Sequence, residues 1–334
     1  MKIVEFEEPG APEVLRVKEV PLPEPGAAQI RVKAHSIGVG IPDVLIRSGA
    51  YSWMPPLPCT PGTEMSGTVS AIGPYVGDLI VGDRVYVSAR ERPHRGGCYA
   101  DEIVVRADEI ISIPESADME AVATLANYQV AWHLLWNMAR VKTGDTVLVY
   151  AAAGGVGSSI VELALIAGAK VIGVASGTGK GAFVKEMGAA HVVDRSKDDV
   201  IARVKDGTGG RGVDFVFDPA GGPQALANAA MLAPLGTVIV YGRLAGPLGG
   251  DLADKIRERF GDSIGMRSFS MHSFDHDKSR RIEATNALIT LLAKCALKPR
   301  IHARLPLTDA CKAHEMLEAG TVIGKILLKP KGAV

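Results

Sequence analysis

Ala152, Gly154 and Gly157 stand at the spacing of a turn that brings backbone close to an anion. They follow the apolar run Thr146-Val147-Leu148-Val149-Tyr150 and lead into a helical stretch. Strand, small-residue turn and helix start, in that order, make a dinucleotide pyrophosphate site. Small residues at Ala153, Gly154, Gly155, Val156 and Gly157 let backbone N–H groups approach the phosphates, and the positive end of the helix dipole faces them. Alanine takes the first of the three glycine places, so the motif depends on support from the rest of the chain.

The choice of dinucleotide is read at the end of the next strand. An acid about 20 residues past the glycines would accept from the ribose 2′-hydroxyl of NAD. That place holds Ala175-Ser176-Gly177. Ser176 can donate a hydrogen bond, and Lys180 and Arg195 supply positive charge for a 2′-phosphate. The set favours NADPH; the alternative is that both cations are ordinary solvated surface charges. Gly221, with Gly222, follows the fourth strand, and Tyr241-Gly242-Arg243 the fifth. Strand carboxyl ends line the crevice in this fold, so both turns are expected to touch the cofactor, unless the glycines only permit turns.

The elements that position these residues follow from the hydrophobic pattern. Strands are expected at 146–150, 170–175, 191–194, 213–218, 236–241 and about 263–270. Helices fall between them, clearest at 155–167 and 180–187. Such alternation predicts a doubly wound parallel sheet. The first 120 residues are different: turn-rich, with short alternating strands at 29–34, 66–73, 83–87 and 99–105, which predicts a β-rich, barrel-like domain. A helix is expected over 120–137. After residue 272 come helices at 280–296 and 308–319, a strand near Ile301, and a last strand at 323–328 that needs a sheet to join.

Composition excludes several classes. The 334 residues carry 37 Lys+Arg against 37 Asp+Glu, so no basic excess points to nucleic acid or an anionic membrane. Cys59, Cys98, Cys295 and Cys311 form no C-x-x-C pair, which argues against a disulfide framework or structural zinc site. There is no signal-peptide pattern and no apolar run long enough to span a membrane. The expectation is a soluble, cytoplasmic protein.

Several segments together carry a resemblance: Pro61-Gly62-Thr63-Glu64-Met65-Ser66-Gly67, Val81-Gly82-Asp83-Arg84-Val85, Gly97-Cys98-Tyr99-Ala100-Asp101, Lys142-Thr143-Gly144-Asp145 running into the glycine turn, and Gly324-Lys325-Ile326-Leu327-Leu328. Over essentially its whole length the chain resembles the medium-chain dehydrogenase/reductase superfamily, in its zinc-independent quinone oxidoreductase (zeta-crystallin-like) branch. The resemblance implies an α/β protein in which a Rossmann domain, 123–272, is inserted into a β-rich GroES-like catalytic domain made of 1–122 and 273–334. It also implies a cleft between the domains, NADPH, hydride transfer to a quinone, enone or enal, and a homodimer or homotetramer.

The zinc branch fails on its ligands. Thr63 stands where zinc alcohol dehydrogenases carry a histidine, and no cysteine lies in Ile37–Asp43; a catalytic zinc needs about three protein ligands. The chain also departs from the quinone oxidoreductase pattern. Gly40 replaces an asparagine, Leu45 a tyrosine, and Val130 a threonine near the nicotinamide. The substrate side is thus more apolar than in the family. Candidate substrate-binding residues are Gly40, Leu45, Tyr51, Trp53, Tyr128 and Met271, with Asn127 and Val130 on the nicotinamide side. Packing is the alternative for Tyr51, Trp53 and Tyr128, capping of local backbone for Asn127, and a subunit interface for the strand before Met271. His133 reads as core or surface, and His94 as part of a solvated charge run. No pair of titratable residues stands out as acid and base, and no catalytic side chain is assigned. A cofactor-binding protein with little turnover is the competing function.

Overall fold

The computed structural model describes residues 1–243, 245–246 and 250–330; the last four residues of the expected 273–334 segment lie outside them. The chain divides into two units, Met1–Ala126 with Asp277–Val334, and Asn127–His276.

The first unit is built on a seven-stranded sheet. Its central strand, Gln29–Val39, alternates buried with partly or fully exposed residues over its first half, as the pattern Ile30, Val32, Ala34 requires. Glu64–Ile72 pairs antiparallel along it, and Arg84–Ser88 pairs with Glu64–Ile72 in turn. The last strand, Lys325–Lys329, pairs antiparallel with the other side of Gln29–Val39, Ile326 opposite Val39 and Leu328 opposite Ile37. The orphan strand thus finds its host in the β-rich unit. Ile30, Val32, Ile37, Met65, Val85, Val87, Ile326 and Leu328 are fully buried together. Each such side chain contributes about 1.5–3 kcal/mol.

The second unit is a six-stranded parallel sheet. Its strands are Thr146–Val149, Lys170–Ala175, His191–Asp194, Val213–Asp218, Leu232–Val240 and Gly265–Ser268. Numbered in chain order they lie 3-2-1-4-5-6 across the sheet, the doubly wound order with its switch point between the first and fourth strands. The central strands are almost wholly buried, as expected where both sheet faces are covered. The fifth strand starts four residues earlier than expected because Leu232 pairs with Val213 ahead of a register shift.

One expected element breaks. The helix predicted over 120–137 is observed as Met119–Val122, then Leu125–Trp132, then a π-helical stretch His133–Ala139 closed by Arg140 at φ 56°. The N–H of Ala126 donates to Glu64 Oε2 at 2.7 Å, and the Thr124 hydroxyl donates back to Ala121 O. A buried carboxylate therefore takes a bond that a continuous helix would spend on its own ladder, and it sits at the favourable, positive end of the second helix.

Candidate functional site

The turn after the first parallel strand is tightly constrained. Ala151 lies at φ 50°, and Gly154 is the N-cap of the helix Gly155–Ile166, with no side-chain cap bond. The first ladder bond runs from Ser158 N to Gly154 O at 2.9 Å. It leaves the N–H groups of Gly155, Val156 and Gly157 at the helix head for an anion. A Cβ on Gly157 would lie 2.1 Å from Ala151 O, and one on Gly155 2.4 Å from Asn127 Nδ2. Glycine at 157 lets helix and turn touch, and Asn127 packs directly on Gly155. Ala153 is buried beneath the turn. Val130 is half-buried on the helix that carries Asn127.

At the end of the second strand, Arg195 Nε donates to Ser176 Oγ at 3.0 Å. Two of the three residues expected to hold a 2′-phosphate are therefore together, and Lys180 follows on the helix Thr178–Glu186. An acid also stands here, one the sequence reading passed over. Asp194 Oδ1 accepts from Gly177 N at 3.3 Å, and from Ser196 N and Oγ. These Ser196 bonds hold its carboxyl below the usual range. It comes from the third strand and spends itself tying the two turns together.

The turns after the fourth and fifth strands lock onto one another. Asp218 Oδ1 accepts from the N–H groups of Ala220 and Gly221, and its Oδ2 from Asn228. Burial raises the Asp218 carboxyl. A Cβ on Gly242 would sit 1.8 Å from Pro219 O, and Gly221 has φ 67°. Close approach of two backbones explains both glycines, with Tyr241 N bonded to Asp218 O at 2.9 Å and Arg243 exposed beyond.

The expected substrate residues fall into two groups. Gly40, Leu45, Tyr51 and Trp53 belong to the first unit, Tyr128 and Met271 to the second. The helix Ile41–Ser48 organises the first group. Gly40 N donates to Asp43 Oδ2 at 2.8 Å at its start, Gly49 at φ 78° ends it, and Tyr51 N returns to Leu45 O. The Tyr51 and Trp53 rings sit 5.8 Å apart, with Trp53 half exposed. Tyr128 is buried and its hydroxyl donates to Glu162 Oε2 at 2.5 Å, an arrangement of packing within its own unit. Met271 is buried on the turn that carries Phe274, whose ring stacks on His133 at 4.1 Å; His133 is therefore core. His94 is exposed, yet its neighbours are not simply solvated. Glu91 pairs with Arg281 through two 2.8 Å bonds, both side chains under 8% exposed.

A buried charged cluster lies beside Gly40. Lys325 Nζ is 2.6 Å from Glu64 Oε1, with side chains 4% and 0% exposed. Glu64 Oε2 accepts from Tyr86 Oη and Ala126 N. Asp43 is fully buried and accepts from Gly40 N and Gly62 N. Burial pushes its carboxyl up to about 7, against the pull of the Gly40 N–H and Lys325. Glu64 and Lys325 each lie in a segment that carries the resemblance, but nothing local marks the members of this cluster as partners. Its members are 21 to 282 positions apart, and only the pairing of the last strand with Gln29–Val39 brings Lys325 in.

Among the described residues no group of three or more His, Cys, Asp or Glu could hold a metal ion. No helix among them is long and apolar enough to cross a membrane.

A doubly wound parallel sheet in one unit, and in the other a β-rich sheet that takes strands from both halves of a split segment, are the architecture of a dinucleotide-dependent oxidoreductase. Residues 26–115 match the alcohol dehydrogenase GroES-like domain model and residues 155–273 the zinc-binding dehydrogenase model. The chain is 32% identical to a quinone oxidoreductase of Salmonella typhimurium over 98% of its own length and 99% of that protein's. It is 31% identical to the mouse synaptic vesicle membrane protein VAT-1 homolog, over 92% of this chain and 78% of that one. The crystal structure of Escherichia coli quinone oxidoreductase complexed with NADPH superposes at TM-score 0.88, with 30% identity, over 99% and 100% of the two chains. The chain belongs to the medium-chain dehydrogenase/reductase superfamily, in its quinone oxidoreductase branch.

Proposed function

We propose that the protein is an NADPH-dependent reductase that transfers a hydride, without zinc, to a quinone or an α,β-unsaturated carbonyl. The observation that carries this reading is the joint geometry of the Gly154–Gly157 turn and the Ser176–Arg195 pair. One offers helix-head N–H groups to a pyrophosphate, and the other a hydroxyl and a guanidinium to a 2′-phosphate. The fit to NADPH is local: a Cβ on Gly154 meets only Ala151 O, at 3.2 Å, so the outer side of the turn is open. Bound NADPH would supply the hydride. The protein's own part is to hold phosphates and adenosine on these turns and to orient an acceptor beside Gly40, Leu45, Tyr51 and Trp53. That the relatives include quinone oxidoreductases, one of them complexed with NADPH, supports the cofactor and acceptor class. The absence of zinc rests on Thr63, which stands where zinc alcohol dehydrogenases carry a histidine ligand, and on the lack of a cysteine in Ile37–Asp43. The expected cytoplasmic location, the homodimer or homotetramer, the domain limits at 122 and 272, and the roles of Tyr128 and Met271 belong to the same proposal.

The test follows NADPH oxidation with a panel of quinones, enones and enals. Turnover with at least one class supports the reading; tight NADPH binding with no turnover across the panel refutes it. That outcome would favour the second reading, a cofactor-binding protein with little turnover. The apolar residues at Gly40, Leu45 and Val130, and the likeness to a protein named for synaptic vesicle membranes, support this alternative.

A further inference from the structure

The buried cluster in the first unit has an asymmetry in its hydrogen bonds. Both oxygens of Glu64 are engaged, by Lys325, Tyr86 and Ala126. Both oxygens of Asp43 are engaged, by Gly40 N and Gly62 N. The ammonium of Lys325 carries three donors, and Glu64 takes one. Its other donors have no partner among the described residues. Ammonium donors left unpaired in a nearly dry site are costly, which favours a polar partner from outside the chain.

Gly40 marks where a ligand would reach them. Its φ of −140° and ψ of 170° are extended backbone that any residue adopts, so conformation does not demand glycine there. A Cβ placed on it would have Pro42 Cδ at 3.4 Å, Lys325 Nζ at 3.7 Å and Asp43 Oδ2 at 3.8 Å as its three nearest neighbours, all at ordinary contact distance. The missing side chain therefore leaves room for a ligand atom in the Cβ position, a gap one carbon wide beside the ammonium, and Gly40 itself is partly exposed.

We propose that Lys325 is a catalytic residue whose ammonium donates, through the gap over Gly40, to the carbonyl oxygen of the acceptor. Hydride addition to an enone or quinone carbon moves an electron pair onto that oxygen. A donor fixed in a dry site before reaction stabilises the charge without reorganising at the moment it forms. Glu64 is the positioning residue: it holds the ammonium in place and is held itself by Tyr86 and Ala126. This assignment rests on the reductase reading above.

The experiment measures NADPH affinity by fluorescence, and NADPH oxidation with quinones and enones, for wild type, Lys325→Ala, Lys325→Arg and Gly40→Val. Absence of wild-type turnover would remove the reductase reading, and this inference with it. Given turnover, Lys325→Ala is expected to lose about 10²–10³-fold in kcat, the usual effect of removing one oxyanion donor. NADPH affinity should stay within twofold, and added ethylammonium should restore at least tenfold. Lys325→Arg should retain more activity than Lys325→Ala. Losses should be larger for enones than for quinones, whose reduced anions are less basic. Gly40→Val leaves the Lys325–Glu64 pair intact, fills the gap, and should lose at least tenfold in acceptor kcat/KM at unchanged NADPH affinity; it decides the matter if Lys325→Ala does not fold. A folded Lys325→Ala protein with kcat within threefold of wild type overturns the assignment. So does Gly40→Val with wild-type activity, or a Lys325→Ala loss that no amine relieves.

Discussion

Gly157→Ala and Gly154→Ala form a pair that separates what the glycine turn does for the fold from what it does for the cofactor. An alanine Cβ at 157 would stand 2.1 Å from Ala151 O, 2.7 Å from Ala151 C and 3.0 Å from Ala152 Cα, all backbone atoms. No side chain can rotate away, so the head of the helix must back off by about 1 Å to reach an ordinary contact. Overpacking of this kind costs about 1–3 kcal/mol. At about 2–4 °C per kcal/mol for a unit of this size, Tm should fall by roughly 2–12 °C. The displaced N–H groups also lose their aim at the pyrophosphate, and a hydrogen bond to a charged group is worth about 1.5–3 kcal/mol; NADPH affinity should drop at least tenfold. At 154 the only contact is Ala151 O at 3.2 Å. Replacing an N-cap glycine by alanine costs about 1 kcal/mol, so this variant should keep most of its Tm. Its methyl, however, stands on the open side of the turn and should still weaken NADPH at least tenfold. Thermal unfolding and fluorescence titration read both effects. Wild-type Tm for Gly157→Ala would refute the steric argument, and wild-type affinity for Gly154→Ala would refute the phosphate assignment.

Charge reversal at Arg195 or Lys180 should weaken NADPH at least tenfold and NADH less than threefold; equal losses in parallel titrations would remove the 2′-phosphate role. His314 is buried with Nε2 3.0 Å from the Tyr99 hydroxyl, and burial, with Arg47 nearby, lowers its pKa to about 3 from 6.5. The native state thus binds fewer protons than the unfolded chain between those values. Its contribution is complete above pH 6.5 and is lost on acidification toward pH 3, by up to roughly 3–5 kcal/mol; His314→Gln should flatten the acid limb of a stability–pH curve. Arg281→Met strands the buried Glu91 carboxylate and should cost about 3–5 kcal/mol in denaturant unfolding, with much of the loss recovered when Glu91→Leu is added. Tyr128→Phe should cost about 1 kcal/mol through the Glu162 bond and leave kcat/KM within twofold; a larger kinetic loss would return Tyr128 to the substrate site.

Periodicity, turn residues and local motifs were enough to determine a great deal. Near-continuous apolar runs such as Val147-Leu148-Val149 and Val171–Ala175, separated by amphipathic stretches, define buried parallel strands because the pattern acts over a few residues. The glycine turn, Ser176 and Arg195 could be placed for the same reason, each lying at a strand end that the pattern locates, with Lys180 on the helix that follows the second strand. The broken helix at Ala123–Thr124 was not legible, since what interrupts it is Glu64, 62 positions away. Nor was Asp194 at the Gly177 turn, or the Glu91–Arg281 pair inside an apparently solvated charge run. Least legible of all was the cluster of Asp43, Glu64, Tyr86 and Lys325. Burial and pairing of charges are properties of three-dimensional neighbours, and a carboxylate reads the same in sequence whether it is hydrated or sealed against an ammonium. The sequence alone determined where a dinucleotide could lie. Only the closing of the last strand onto Gln29–Val39 decided which charged groups face the gap at Gly40, because that pairing carries Lys325 across 261 positions to Glu64.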